Sequence, residues 1–167
     1  GSDQYGFDEQ TGQVTEGPDG IPEIRLRSAI RRGDPDKANV HLFDVKGTTT
    51  TDELLQHVRS GWTDLDLPKR LPKLRFDQGP HQLETVSGIT GPVPRVLRHS
   101  IGQCRILFLY DKFLATGRSG AGRLQVTEAV AGRILSVEVL EDDGCELIIQ
   151  PGVMTTRTAI LASQDED

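Results

Sequence analysis

This chain is poor in the residues that do chemistry. Aromatic residues make up 5%, with one Trp and two Tyr, so stacking platforms for single-stranded nucleic acid are poorly supplied. Its two cysteines, Cys104 and Cys145, are too few for a disulfide scaffold. They read as buried free thiols in strands, with a disulfide between neighbouring strands, which would imply an oxidising compartment, as the alternative. The four histidines, His41, His57, His81 and His99, have no Cys or His partner at metal-ligand spacing, which argues against a metal site. No serine among Ser28, Ser60, Ser87 and Ser100 is flanked by elbow glycines, and Ser119 lies among glycines outside the Gly-x-Ser-x-Gly pattern. Asp64 and Asp66 are explained as polar positions alternating with Leu65 and Leu67. No combination supplies a nucleophile, a base and an orienting group. A chain without enzyme activity, cofactor or metal is therefore expected. No signal peptide or transmembrane span is visible, and no compartment is assigned. Gly1-Ser2 reads as a cloning scar, which makes the chain a piece of a larger protein.

Charge is unevenly placed. Residues 1–23 hold six acids and no Lys or Arg, and Asp165, Glu166 and Asp167 close the chain. Setting these nine acids aside leaves 16 against 19 bases, so the net −6 conceals a body of about +3. Such a body permits anionic partners without requiring them.

Along the chain, residues 1–21 lack apolar periodicity and are expected as a flexible acidic lead-in. Ile24, Leu26 and Ile30 alternate with Arg25, Arg27 and Arg31, the pattern of a half-buried strand with a basic outer face. Gly33 to Asp36 breaks it, and Asn39 to Val45 is a second strand. Thr50 and Glu53 fit a capping box. Leu54, Leu55 and Val58 give an apolar stripe, and Gly61 ends a helix over 51–60 with Trp62 packed beneath. Leu71 to Phe76 is a candidate strand. A Pro/Gly-rich connection follows at 79–94, and Val93 to Ser100 is expected to hold an edge strand. The second half reads as strands near 104–110, 112–116, 122–127, 133–141, 145–150 and 154–162. Glu141 to Gly144 is expected as a hairpin turn. The apolar run from Cys104 to Gly117 meets at Asp111-Lys112; its continuity implies burial on both faces, at the centre of a core.

Three constellations need a bland reading beside the sharp one. Gly117 to Leu124 has phosphate-loop glycines, but Arg123 and Leu124 stand where Lys and Ser or Thr are required. Its place between strands offers no helix terminus, so a hairpin loop is expected. Arg32-Gly33-Asp34 spells an adhesion tripeptide and is equally good turn chemistry. Two basic groups, Lys69, Arg70, Lys73, Arg75 and Arg95, Arg98, His99, Arg105, are candidates to join Arg25, Arg27 and Arg31 in a positive surface; the plainer reading is a solvated face.

The order strand, turn, strand, Thr-capped helix over residues 22–78 resembles the first half of a ubiquitin-like β-grasp fold. The run from Arg105 to Leu114 looks like the strand pair of a pleckstrin-homology domain, a family in which many members bind phosphoinositides or proteins. The departure is that this family closes with a long helix, whereas the sequence ends from Ala162 to Asp167 without one. Ile101 to Leu107, Arg123 to Glu128, Glu146 to Gln150 and Thr155 to Leu161 follow the order of the small β-domain near the N-terminus of pilus and secretin proteins. There the glycine-rich loop at 117–122 is extra. Bacterial Ig-like repeats fit comparably.

The expected fold class is α+β, mainly β: a ββα, β-grasp-like first lobe at 22–78, the connection at 79–94, a β-sandwich or small β-barrel lobe at 95–162, and an acidic tail at 163–167. The expected function is a non-catalytic protein-interaction or assembly module, with a protein as partner and nucleic acid disfavoured. The alternatives are a module binding phosphoinositide or another anionic lipid through a basic face, and a cell-envelope β-domain. The candidate interaction surface is Arg25, Arg27, Arg31, Lys69, Arg70, Lys73, Arg75, Arg95 and Arg98, with the connection and the 117–122 loop as further candidate sites of recognition.

Overall fold

Residues 2–28, 38–43, 50–61, 76–85, 91–115, 122–140 and 144–155 are described by the structure, a computed structural model. The fold is α+β and mainly β. It has, among the described residues, one two-stranded and one five-stranded sheet, two short α-helices and no closed barrel. Among the described residues no helix is long and apolar enough to cross a membrane.

The apolar run after Cys104 forms one strand, β5 (Cys104–Ala115), rather than two strands broken at Asp111-Lys112. Its neighbour β6 (Gly122–Val139) likewise merges the strands expected at 122–127 and 133–141. Their antiparallel register runs from Cys104 opposite Arg133 to Ala115 opposite Gly122. A two-residue hairpin needs positive φ in its centre, which Asp-Lys does not favour. The chain instead takes up the irregularity as bulges: Thr127 on β6 and Asp111 on β5 have no residue opposite. The glycine-rich segment then joins consecutive antiparallel strands, as a hairpin loop does; residues 116–121 themselves lie outside the described residues.

The other strands line up along the second edge of β6. Strand β7 (Cys145–Pro151) pairs with its second half, and Leu140 N–H donates to Gly144 O at 2.7 Å across the expected Asp-Gly turn. Strand β4 (His81–Glu84) pairs with its first half, and β3 (Ile24–Ser28) pairs with β7. Strands from the expected first lobe, the connection and the second lobe thus hydrogen-bond within one sheet. Residues 38–43, expected as part of a strand, form no strand. They cross from β3, where Asn39 N–H reaches Arg27 O at 2.9 Å, to the end of β4, where Phe43 bridges Thr85. The rest of that expected strand lies outside the described residues, as do 71–75 and 156–162 of the strands expected at 71–76 and 154–162, and Trp62; of their described parts, Phe76 opens a 3-10 turn and 154–155 form no strand.

Both helices cover one face of the sheet. Helix α1 (Thr51–Ser60) has the expected cap: Thr50 Oγ1 accepts from Glu53 N at 3.3 Å, and Thr50 N donates to Glu53 Oε2 at 2.9 Å. Helix α2 (Val93–Leu97) replaces the expected edge strand. Pro94 cannot donate to a ladder and is tolerated in a first helical turn, so this segment favours the helix. Val93 and Leu97 of α2 pack with Ile134, Val137, Cys145, Leu147 and Ile149, joined by Leu55 and Val58 of α1 and by Leu26, Val40, Leu42 and Leu107.

The opposite face is covered by residues expected to be a flexible lead-in. Strands β1 (Tyr5–Asp8) and β2 (Gln13–Glu16) form an antiparallel hairpin. Polar contacts, invisible to a search for apolar periodicity, anchor it. The buried Glu23 carboxylate accepts from Ser2 Oγ at 3.0 Å, Gln4 N at 2.7 Å and Tyr5 N at 2.6 Å. Asp3 accepts from the backbone of Asp19 and Gly20. The Arg133 guanidinium sits 3.4 Å above the Phe7 ring centroid, donates to Gly102 O at 2.9 Å and pairs with Glu9 at 2.8 Å.

Arg133→Ala is expected to lower unfolding stability by about 1–2 kcal/mol, mostly from the ring contact and the carbonyl bond, because the Glu9 side chain is exposed. Hydrogen exchange should rise more in residues 5–16 than in 145–150. An equal rise in both would show that the hairpin opens only with the whole sheet.

Candidate functional site

The described members of the expected basic surface, Arg25, Arg27, Arg95 and Arg98, do not share one side of the sheet. Arg25 and Arg27 alternate with Leu26, whose side chain faces the helices, so they project on the hairpin side. There Arg25 pairs with Glu146 at 2.9 Å and donates to Gln4 Oε1 at 2.6 Å. Arg95 and Arg98 stand on and after α2, on the opposite side of the sheet, where Arg98 Nε donates to Val137 O at 3.3 Å. Arg31, Lys69, Arg70, Lys73 and Arg75 lie outside the described residues. Arg105, half-buried, reaches from β5 to the last turn of α1. Its Nη2 donates to Arg59 O at 3.1 Å, Ser100 Oγ at 3.0 Å and Gln103 Oε1 at 2.7 Å. A cation on the carbonyl end of a helix is favourable, so Arg105 ties α1 to the sheet; burial lowers its pKa.

A shallow depression of about 380 Å³ separates the two helices, lined by Leu55, Gln56, Arg59, Ser60 and Val96. These five side chains hold no nucleophile with a base. Among the described residues no three His, Cys, Asp or Glu side chains converge on a point where a metal could sit. His41 lies under the β5–β6 ribbon, stacked on Phe113 with centroids 4.5 Å apart and edge-on to Tyr110 at 5.5 Å. Among the described residues its buried Nε2 has no hydrogen-bond partner, and burial lowers its pKa.

Both cysteines are free. Cys104 stands opposite Arg133 and Cys145 opposite Val139, six residues apart along β6, which is ~20 Å of strand. A disulfide needs Cα atoms roughly 5.5 Å apart. Burial pushes the Cys145 thiol up to about 11.

The arrangement with most to offer a partner is the C-terminal half of β5. Among the described residues β5 hydrogen-bonds to β6 alone, and none of them pairs with its other edge. The bulge sorts the side chains. Tyr110 lies opposite Val126 and Phe113 opposite Leu124, both buried, while Lys112 and Leu114 lie opposite Gln125 and Arg123 on the other face. Asp111 joins that second face by accepting from Gln125 Nε2 at 3.2 Å, and Leu109, adjacent to Tyr110, points the same way. The first face is covered: Tyr110 Oη donates to Ala38 O, His41 packs on both rings, and Phe43 meets Phe108 edge-on at 5.1 Å. The second is open, with Leu109 45% and Leu114 54% exposed, flanking exposed Asp111 and Lys112. The sequence reading placed this run inside a core. The contrary signal was present in it: a charged pair in the middle of an apolar run marks the face that meets water.

Two outcomes check this geometry. At pH 8 a small maleimide should label Cys104 and leave Cys145 unmodified in the folded protein, since a thiol titrating near 11 is almost wholly protonated there. Comparable labelling of both by mass spectrometry contradicts the buried placement. The folded pKa of His41 lies below the unfolded value, so the unfolded chain binds more protons and stability falls as pH drops below about 6.5. His41→Phe should keep the stack, remove this acid sensitivity and gain about 1 kcal/mol at neutral pH by deleting the unpaired nitrogen, as read from urea unfolding at two pH values.

Compared with models of known protein families, with curated proteins and with solved structures, the chain matches none.

Proposed function

We infer that this chain is a non-catalytic protein-interaction module that receives a partner strand along the outer edge of β5. The carrying observation is a strand edge that no described residue pairs with, beside two exposed leucines, Leu109 and Leu114, on one face. An added strand gains main-chain hydrogen bonds from the edge, and alternate side chains supply the selectivity. Exposed strand edges are otherwise blunted, because they pair promiscuously. Here the blunting is partial. Asp111, Lys112 and the bulge interrupt the edge, while the leucines on either side leave apolar surface for a partner to cover.

The basic-face reading has less support. Arg25 is already engaged by Glu146 and Gln4, and Arg25 and Arg27 are on the other side of the sheet from Arg95 and Arg98. Binding of an anionic membrane is therefore the rival to be tested alongside.

Two double variants separate these readings. Leu109→Lys with Leu114→Lys should abolish retention of the proteins that the immobilised wild-type chain captures from its source extract, while Arg25→Glu with Arg27→Glu should leave it within about twofold, as exposed charges contribute little. Loss in the arginine variant with retention in the leucine variant, or salt-sensitive binding to phosphatidylserine vesicles, overturns the edge reading. Circular dichroism of both variants establishes that the fold survives.

A further inference from the structure

We propose that the strand added to β5 is β5 of a second copy, paired antiparallel about a two-fold axis between Asp111 and Lys112. This deepens the edge-docking reading by naming its partner. In a two-fold antiparallel pair, each residue meets the one equally far on the other side of the midpoint. With the midpoint between Asp111 and Lys112, Asp111 meets Lys112 of the second copy, Tyr110 meets Phe113, and Leu109 meets Leu114.

Every one of these pairs is matched in kind and in face. Directly opposed residues of antiparallel strands share a face. Leu109, Asp111, Lys112 and Leu114 all lie on the open face, and Tyr110 and Phe113 both lie on the covered one. The bulge is what makes this possible. In a regular strand Asp111 and Lys112 would point to opposite faces; the extra residue turns both outward. The two exposed leucines, 45% and 54% accessible in one copy, then cover one another.

The charges carry the choice of partner. Lys112 has no ion-pair partner among the described residues, and Asp111 has only the Gln125 amide at 3.2 Å. Two-fold symmetry forms the Asp111–Lys112 pair twice. Against a strand of other sequence the same Lys and the same bulge disfavour pairing. Against its own copy they are complementary, so the feature that excludes foreign strands admits this one. Pairing along six residues covers far less surface than a permanent interface does, so the dimer is weak and concentration-dependent.

Sedimentation velocity of the full chain up to ~1 mM should show reversible dimerisation. Lys112→Asp places two acids opposite one another and Asp111→Lys two bases; each variant alone should weaken the dimer ~10-fold or more. Mixed in equal amounts, the two variants should associate again, because each supplies the charge the other lacks. Their recovery on mixing also establishes that both are folded. A wild-type chain that stays monomeric throughout, or variants that dimerise as well as wild type, overturns the self-pairing. Hydrogen exchange on the same samples distinguishes that failure from failure of the edge reading itself. Fast exchange of alternate β5 amides in the monomer leaves the edge open for a different partner. Uniform protection of β5 in the monomer shows the edge closed within one chain and overturns both.

Discussion

An eighteen-residue strand cannot run straight through a small domain. At 3.3 Å per residue β6 is ~60 Å long, well beyond the usual strand, and strands twist as they extend. The rest of the fold follows from how β6 is divided. Its first half carries β4 and its second half β7 on the same edge, while β5 follows it along the other. Register shifts fall at the Thr127–Asp111 irregularity and again between Ile134 and Ser136. Each shift changes which side chains face inward. The second halves of β6 and β7 can therefore present Ile134, Val137, Leu147 and Ile149 to the helices, while the first half of β6 buries Leu124 and Val126 on the face where His41 packs on Tyr110 and Phe113.

What was legible in the sequence is what local chemistry decides. Thr50, Glu53 and Gly61 specify both ends of α1 through bonds made within a few residues, and the helix falls at 51–60. Alternation in Ile24 to Ser28 specifies a strand, and Asp-Gly at 143–144 accompanies the β6–β7 hairpin. What was not legible depends on partners far away in the chain. The N-terminal hairpin has no apolar period of its own. It is held by Glu23, by Asp3, and by Arg133 more than a hundred residues later. Pro94 falls in the expected connection and edge strand, and the sheet beneath α2 selects a helix there instead.

The candidate site was missed for a related reason. Continuous apolar content along β5 predicts burial on both faces, as in a central strand. A strand at an edge uses the same residues differently. One face meets His41 and Phe43, and the other keeps its leucines in water. The bulge at Asp111 decides which residues go where, and bulges leave little trace in composition. The basic residues show the converse. They are conspicuous as a count, yet β3 and α2 place the described ones on opposite sides of the sheet, and Arg25 and Arg105 are occupied by contacts within the fold.

One edge can accept only one strand. If β5 pairs with its own copy, the same hydrogen bonds are withdrawn from any other partner, and the two associations compete. A partner then sees an affinity reduced by the fraction of chain already paired, so dilution favours docking and local crowding favours self-pairing. The competition is set by Asp111 and Lys112, whose attraction counts twice in the symmetric pair. A foreign strand can match the symmetric pair only by offering the reverse order of charge, flanked by apolar residues at the spacing of Leu109 and Leu114. That pattern is this strand read backwards, which is why a bulged and charged edge can be selective without being closed.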